Sequence, residues 1–146
     1  MSIKLLDYRA VRVHFIPSVA LLSYLEDMQE ENAPLPTIAY TAVFPEEGDD
    51  VEDNDFLIHF NINLTAPLPE NEEDDGILKI DFISRFTSKV PITEEFKKSN
   101  FPKVNAPAIA YPFMRSFINN FFINAGYDPV LLPTYNFTKS IQDNSE

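Results

Sequence analysis

The sequence contains no cysteine and only three glycines. Without cysteine the chain can form no disulfide framework, no thiolate metal site and no cysteine nucleophile. Three glycines are too few for a phosphate-cradling loop. No Ser–His–Asp spacing stands out, and the carboxylates lie in charged runs rather than in apolar pockets that would shift a pKa. We therefore expect neither an enzyme nor a bound cofactor.

Candidate metal ligands are poorly placed. Asp50, Asp53 and Asp55 lie close together, but no glycine and no bidentate glutamate stand where a calcium loop needs them. His14 and His59 are far apart and fall on polar strand faces, as surface histidines do, so they do not indicate a metal site. No metal is expected.

Basic residues and long apolar runs are also scarce. Eleven Lys and Arg stand against 23 Asp and Glu, and the formal net charge is −12. Nucleic acid and anionic membrane surfaces are therefore not expected as partners, whereas a basic protein partner is permitted. No segment supplies the roughly 20 apolar residues of a membrane span, and the N-terminus acquires charges too early for a secretory signal. We expect a cytoplasmic protein.

Aromatic residues, in contrast, are abundant, with 13 Phe and 6 Tyr among 146 residues. This length suits a single domain, residues 1–146, with one hydrophobic core. The rings are numerous enough to fill that core and to leave some for a groove. About half of the acidic residues fall in two runs, at 45–55 and 69–75, which like-charge repulsion predicts to be solvated loops.

Alternating hydrophobicity predicts four β-strands. The clearest covers residues 54–67, where apolar side chains from Phe56 to Leu64 alternate with polar ones. Weaker alternation predicts strands at residues 8–16, 37–44 and 76–86. In the last of these it blurs at Ile83, which would fit a bulge or a twist. The four strands indicate an antiparallel sheet with one solvent-facing polar side. That side would carry His59, Asn61, Asn63, Thr65, Lys79 and Asp81.

Helical spacing predicts a short helix between the first two strands, which two prolines would stop. Its apolar residues are Leu21, Leu22, Leu25 and Met28, and the prolines are Pro34 and Pro36. One or two further helical turns are predicted at residues 93–100. A long helix is predicted to start between Pro107 and Pro112, because proline is tolerated in a first turn, and to end near Gly126.

The long helix carries two adjacent lines of apolar residues. One line is Ile109, Phe113, Phe117 and Phe121, and the other is Met114, Ile118, Phe122 and Ala125. Since strands come first and helices last, we predict an α+β fold. In this fold the long helix packs across one side of a four-stranded antiparallel sheet.

The segments PAIAYPFMRSFI and YDPVLLPTYNF together resemble the C-terminal signature of the SecB protein-export chaperones. The first block opens the long helix of that family, and the second leads into its final short helix. The matching positions are Pro107, Ile109, Tyr111, Pro112, Phe113, Arg115 and Ile118, then Leu132, Asn136 and Phe137. The likeness covers about 30 residues, whereas the stretch at 18–36 departs from the family pattern.

The resemblance implies a SecB-like sheet crossed by the long helix and followed by a short terminal helix. It also implies a homotetramer, a dimer of dimers whose sheets pair by their edges and whose helices are sandwiched between the dimers. The implied activity is ATP-independent binding of unfolded preproteins, with delivery to the SecA motor in bacteria. The family docks SecA on an acidic sheet surface, whereas here the acidic residues lie mostly in loops, where they aid solubility.

The resemblance also marks Arg115, for which two roles are open. Its side chain would either form an ion pair with an acidic loop or bind a neighbouring backbone group.

The surplus of phenylalanine on the long helix suggests a second surface. One sheet face can bury only one line, so the remaining rings need another subunit or a client chain. For any single ring a core or interface role remains the commoner explanation. An unfolded client would need an aromatic-lined groove. From their positions alone, the candidate groove residues are Tyr24, Leu25, Phe44, Phe121 and Phe122.

Three functions remain open at this point. The first is a general holdase for unfolded polypeptides, which gains avidity from several grooves in an oligomer. The second is a dedicated SecB-like chaperone for one partner, such as an antitoxin, as the unusual 18–36 stretch suggests. The third is a non-catalytic structural or ligand-binding module whose apolar surface is used up in assembly.

Overall fold

Four strands and three α-helices make up the part of the chain that the computed structural model describes, residues 2–30, 33, 36, 38–46 and 54–138. In chain order the elements are β1 (Ile3–Ile16), α1 (Val19–Asp27), β2 (Ala39–Val43), β3 (Asp55–Leu64), β4 (Ile77–Ser88), α2 (Glu94–Lys98), a π-helical turn (Phe101–Asn105) and α3 (Ala106–Asn124). The predicted α+β architecture is confirmed. The chain becomes helical again at Phe137 and Thr138, where the described residues end.

The sheet has the strand order β1-β4-β3-β2, and all neighbouring strands are antiparallel. β3 and β4 form the centre, and their alternating apolar side chains point to one face, the inner face. These side chains are Phe56, Ile58, Phe60, Ile62, Leu64, Leu78, Ile80, Phe82 and Phe86, none more than 5% exposed. β1 and β2 follow each other in the sequence but occupy opposite edges, so α1 and its flanking residues connect one edge to the other.

The irregularity expected at Ile83 lies on β1 instead. Ile83 is paired regularly on both sides, whereas β1 has extra residues at Leu6 and Val11. Each extra residue shifts the side-chain alternation of the strand by one position. Val11 has no residue opposite it on β4, and it is 51% exposed.

The long helix starts earlier than predicted. α3 begins at Ala106, directly after the π-helical turn, and Pro112 lies inside it rather than in its first turn. Because Pro107 has no N–H to donate, the carbonyl of Lys103, four residues before it, lacks its usual intrahelical donor. That carbonyl accepts a hydrogen bond from Tyr40 Oη at 3.2 Å instead. The start of α3 is thereby tied to β2.

The end of the long helix is where the sequence predicts it. Gly126 adopts a φ of 93°, a left-handed conformation that other residues reach only at a cost. The N–H groups of Gly126 and Tyr127 donate to the carbonyls of Ile123 and Phe122, at 3.1 and 2.9 Å. This pattern is a Schellman motif, and it releases the chain from α3 into the C-terminal segment, residues 127–138.

Of the remaining predictions, some agree with the structure, one differs from it, and some concern residues outside the described part of the chain. α2 confirms the helical turns expected at 93–100, and the acidic run at 69–75 is an exposed turn. α1 ends at Asp27, well before the prolines expected to stop it, and Pro34 itself lies outside the described residues. So do residues 47–53, which hold most of the other acidic run together with Asp50 and Asp53.

Candidate functional site

α3 packs on the inner face of the sheet through only one of its two apolar lines. Ala110, Met114, Ile118 and Phe122 are fully buried. The other line stays partly open, because Ile109 and Phe113 are each 40% exposed and Phe117 and Phe121 are only half-buried. A single sheet face therefore buries one line and leaves the other as apolar surface.

This apolar surface continues onto β1. The ring of Tyr8, 45% exposed, lies 4.8 Å from the ring of Phe113, centre to centre. Leu6 and Val11, the two extra residues of the strand, are also exposed. Among the described strands, β1 pairs only with β4, so its other edge is open. We call Leu6, Tyr8, Val11, Ile109 and Phe113 the apolar edge.

A second feature is a cleft of about 210 Å³ between α1, the end of α3 and the C-terminal segment. We call it the α1 cleft. Its lining residues are Leu22, Leu25, Glu26, Gln29, Phe122 and Tyr127 to Val130. The floor is apolar, and Glu26 and Asp128 place carboxylates among the lining groups.

Hydrogen bonds from both ends fix α1 beside this cleft. Ser18 Oγ caps the first turn of the helix and donates to the carboxylate of Asp74 at 2.6 Å. At the other end, the side chain of Gln29 donates to the carbonyl of Leu25 and accepts from the N–H of Leu131, each at 3.2 Å. The last contact joins α1 to the C-terminal segment across the α1 cleft.

Side chains of α3 bind backbone carbonyl groups of the C-terminal segment. Tyr111 Oη donates to the carbonyl of Pro133 at 2.5 Å, and Arg115 Nε donates to the carbonyl of Leu132 at 2.7 Å. Burial raises the pKa of Tyr111 to about 12, so this phenol keeps its proton well above neutral pH. Of the two roles left open for Arg115, the structure supports binding of a backbone carbonyl. The two segments that carry the SecB resemblance, PAIAYPFMRSFI and YDPVLLPTYNF, thus contact each other in the structure.

Side chains of the C-terminal segment alternate between inside and outside. Val130, Leu132 and Phe137 are buried, with at most 4% exposed, whereas Leu131 is 52% exposed. The ring of Phe137 lies 5.6 Å from that of Tyr111. The molecule therefore already holds an extended apolar segment of its own, through hydrogen bonds between side chains and the backbone of the segment and through burial of alternate side chains. This is the chemistry by which an extended polypeptide is recognised.

The five predicted groove residues do not converge on one surface. Leu25 and Phe122 meet in the α1 cleft, but both are buried, at 2% and 0% exposed. The ring of Phe121 lies 5.4 Å from that of Phe122 and 6.0 Å from that of Phe15, centre to centre, but Phe121 does not line the cleft. Phe44 lies at the end of β2, and Tyr24 packs half-buried against the core.

Sequence reasoning missed Leu22, Gln29, Tyr127 and Val130 as lining residues of the α1 cleft. The sequence carries no alternating signal there, because Val130, Leu131 and Leu132 are all apolar, and the period of two appears only in their burial.

The open face of the sheet, opposite α3, carries a carboxylate that is not solvent-facing as predicted. Asp81 is only 7% exposed, because the side chains of Asn61, Arg12 and His59 surround its carboxylate. It accepts hydrogen bonds from Asn61 Nδ2 at 2.8 Å and from Arg12 Nε at 2.6 Å, and it contacts His59 Nε2 at 2.8 Å. The hydrogen bond from Asn61, followed by those from His59 and Arg12, holds the pKa of Asp81 below its ordinary value, against the opposing effect of burial. This network joins β1, β4 and β3.

The lowered pKa of Asp81 predicts how the free energy of unfolding changes in acid. Stability from this group is present above the unfolded pKa of about 3.9 and is lost as the pH falls through the lower, folded value. Asp81→Asn is expected to lower the free energy of unfolding by about 1–3 kcal/mol at neutral pH and to weaken its acid dependence. Urea unfolding at a series of pH values measures both, with the exposed Asp75→Asn as control. An unchanged acid limb in Asp81→Asn would contradict the assignment.

The described residues offer neither a metal cluster nor a membrane-spanning helix. In the described part of the chain, no three His, Asp or Glu side chains gather as metal ligands. None of the described helices is long and apolar enough to cross a membrane.

Comparison with solved structures identifies the fold. A SecB-like chaperone of Mycobacterium tuberculosis, Rv1957, solved in complex with a ChAD peptide from the HigA1 antitoxin, matches with a TM-score of 0.52 at 16% identity, over 91% of this chain and 90% of its own. A Streptococcus agalactiae protein of unknown function matches with a TM-score of 0.55 at 12% identity, over 92% of this chain and 98% of its own. No family model and no curated protein matches the chain significantly. The chain thus has a SecB-like fold.

Proposed function

We propose that the protein is a cytoplasmic, ATP-independent holdase that binds unfolded polypeptides as a homo-oligomer and catalyses no reaction. The observation that carries this proposal is the second apolar line of α3. Its rings are left partly open by a sheet that has already buried the first line. Monomeric proteins rarely leave such a contiguous apolar surface without a partner.

The apolar edge supports self-assembly. An edge strand offers a row of backbone donors and acceptors to a second strand, and β1 is 14 residues long. Pairing of two β1 edges would also bring together the exposed rings of Tyr8 and Phe113 from both copies. We propose that such dimers pair through α3 into a tetramer.

The α1 cleft supports client binding. Its volume of about 210 Å³ suits one or two apolar side chains, and burial yields on the order of 25 cal/mol per Å² before association costs. A single cleft is therefore weak, and four clefts engaging one long client would gain avidity. We propose that Leu25 and Phe122 form the floor of the cleft and that Tyr24, Phe44 and Phe121 contact the client at further points.

Light scattering tests the holdase activity. An aggregation-prone protein is diluted from guanidinium chloride into buffer with the purified chain, and aggregation is expected to be suppressed at a stoichiometric ratio without ATP. Leu22→Glu, at the half-buried rim of the α1 cleft, is expected to reduce this suppression several-fold. Ser23→Glu adds the same charge on the solvent side of α1 and serves as the matched control. No suppression by the wild-type protein would refute the holdase proposal.

A dedicated chaperone for one partner is the second candidate. The solved mycobacterial SecB-like chaperone holds a peptide from an antitoxin, and here the unusual stretch at 18–36 supplies α1, one wall of the cleft. Affinity capture separates the two ideas, since one dominant bound protein favours a dedicated role and many favour a general one. The third candidate, a structural module, predicts negligible binding of a hydrophobic dye by the intact oligomer.

Delivery to SecA has less support. On the open face of the sheet, the carboxylates of Asp7 and Asp55 bind Arg85, and that of Asp81 binds Arg12. Among the residues that the structure describes, little unpaired negative charge is left on that face for a basic partner. Direct titration with SecA distinguishes an export chaperone from the other holdases.

A further inference from the structure

The open edge of β1 is regular over only four residues. From Asp7 to Ala10 each residue has one partner on β4, and the extra residues Leu6 and Val11 stand at the two ends of this stretch. Among the described strands, none pairs with the outer edge. The edge therefore offers a short row of backbone donors and acceptors between two exposed apolar side chains.

Side chains in this stretch alternate between the two faces of the sheet. Tyr8 points to the inner face, where its ring contacts that of Phe113. Asp7 points to the open face, where it binds Arg85, and Arg9 shares that face because neighbouring strand residues alternate. An acid and a base therefore flank Tyr8 on the same face.

Arg9 has no ion-pair partner within its own chain. It is exposed, and no described carboxylate forms an ion pair with it. Asp7 binds Arg85 at 2.7 Å, yet 42% of its side chain remains exposed. A partner molecule could therefore bind both Arg9 and Asp7 without breaking a contact of the fold.

A second copy of the chain is a partner whose charges fit this edge. When two identical strands pair in antiparallel fashion, one residue lies opposite its own copy on the two-fold axis. The residues before and after it then lie opposite each other. With Tyr8 on the axis, Asp7 of each copy lies opposite Arg9 of the other. Opposite charges in this position stabilise a strand pair.

The other centres of the regular stretch fit less well. An axis at Asp7 sets two carboxylates opposite each other, and an axis at Arg9 sets two guanidinium groups opposite each other, which destabilises a strand pair. An axis at Ala10 sets Arg9 opposite the extra residue Val11 and forms no charge pair. Within this stretch, only the axis at Tyr8 gives ion pairs in both directions.

We propose that two copies pair through β1 with Tyr8 on the two-fold axis and with ion pairs between Asp7 and Arg9 in both directions. The two Tyr8 rings lie side by side on the inner face, next to Phe113 of each copy. This inference rests on the proposed function, because it takes assembly through the apolar edge as given, and it extends that function by fixing the register.

Cysteine substitution measures the register directly, because the chain has no cysteine of its own. Tyr8→Cys places two thiols opposite each other, within reach of a disulfide, and mild oxidation is expected to convert most of the protein into a covalent dimer. Leu6→Cys is the matched control on the same strand. Its thiols would be about 14 Å apart along the strand, so no covalent dimer is expected. Absence of the dimer in Tyr8→Cys would overturn the register.

Charge reversal tests the ion pairs. Arg9→Glu sets two acids opposite each other, and Asp7→Lys sets two bases opposite each other. Each variant alone is expected to raise the dissociation constant of the assembly about tenfold. An equimolar mixture of the two restores both ion pairs, so sedimentation velocity is expected to show nearly wild-type association. No recovery in the mixture of folded variants would overturn the pairing.

Circular dichroism checks that Asp7→Lys is folded, since this variant also loses its bond to Arg85. If it is unfolded, the Tyr8→Cys result decides.

Failure of this inference differs from failure of the proposed function. A wild-type protein that sediments as an oligomer and suppresses aggregation, but whose Tyr8→Cys variant forms no covalent dimer, would retain the holdase proposal and refute the register. A wild-type monomer that suppresses aggregation would refute both the register and the homo-oligomer, and client binding would stand.

Discussion

Replacing Phe113 with glutamate is expected to break the proposed oligomer into monomers. The ring is 40% exposed and lies next to Tyr8, at the centre of the apolar edge. In an interface formed by that edge, the glutamate would bury an unpaired charge. The dissociation constant should rise at least about a hundredfold, roughly 3 kcal/mol. Sedimentation velocity at micromolar concentration measures the change, and suppression of client aggregation should fall with it.

The control for this experiment is Val19→Glu. Val19 is 85% exposed at the start of α1, so the same charge is added outside the apolar edge, and assembly should be unchanged. Circular dichroism should show that Phe113→Glu is still folded, because the buried line of α3 is intact. An assembly as strong as that of the wild type would show that the apolar edge is not the interface.

Replacing Phe137 with alanine is expected to cost about 3–5 kcal/mol of unfolding free energy. The side chain is 3% exposed, and its ring lies 4.8 Å from that of Tyr135, 5.2 Å from Tyr40 and 5.6 Å from Tyr111. Its removal leaves a cavity among these rings. Chemical denaturation measures the loss, and hydrogen exchange should show faster opening of the C-terminal segment than of β3 and β4.

Leu131→Ala is the matched control within the same segment. Leu131 is 52% exposed, and its truncation should change the free energy of unfolding by less than about 0.5 kcal/mol. If Phe137→Ala proved equally mild, the packing of the C-terminal segment against α3 would be in error.

Much of the fold follows from local patterns. The period of two in β3 and the line from Met114 to Phe122 in α3 both reflect burial on one side, which the sequence records directly. The extra residues Leu6 and Val11 could not be predicted, because a bulge depends on which residues of the partner strand they oppose. The early start of α3 was missed for a similar reason, since the donor that replaces the missing N–H comes from distant Tyr40.

The candidate site was predictable only in part. Leu25 and Phe122 were chosen from their positions and do meet in the α1 cleft. Phe121 packs against Phe122 without lining the cleft, and Phe44 lies at the end of β2. Helical spacing tells which side chains share a face but not which faces approach each other. The hydrogen bond from Arg115 to the carbonyl of Leu132 could not be predicted from the sequence, because every residue has a backbone carbonyl.

The strand order has a consequence for biosynthesis. Ile3 pairs with Ser88, and β1 has no other described partner than β4. A ribosome must therefore extrude most of the sheet before the first strand can dock, and apolar residues such as Val13 and Phe15 remain uncovered during that time. Contacts so distant in sequence also slow folding in solution. During synthesis the chain therefore exposes apolar residues that have no packing partner yet. This is the same state that the folded protein is proposed to bind in its clients.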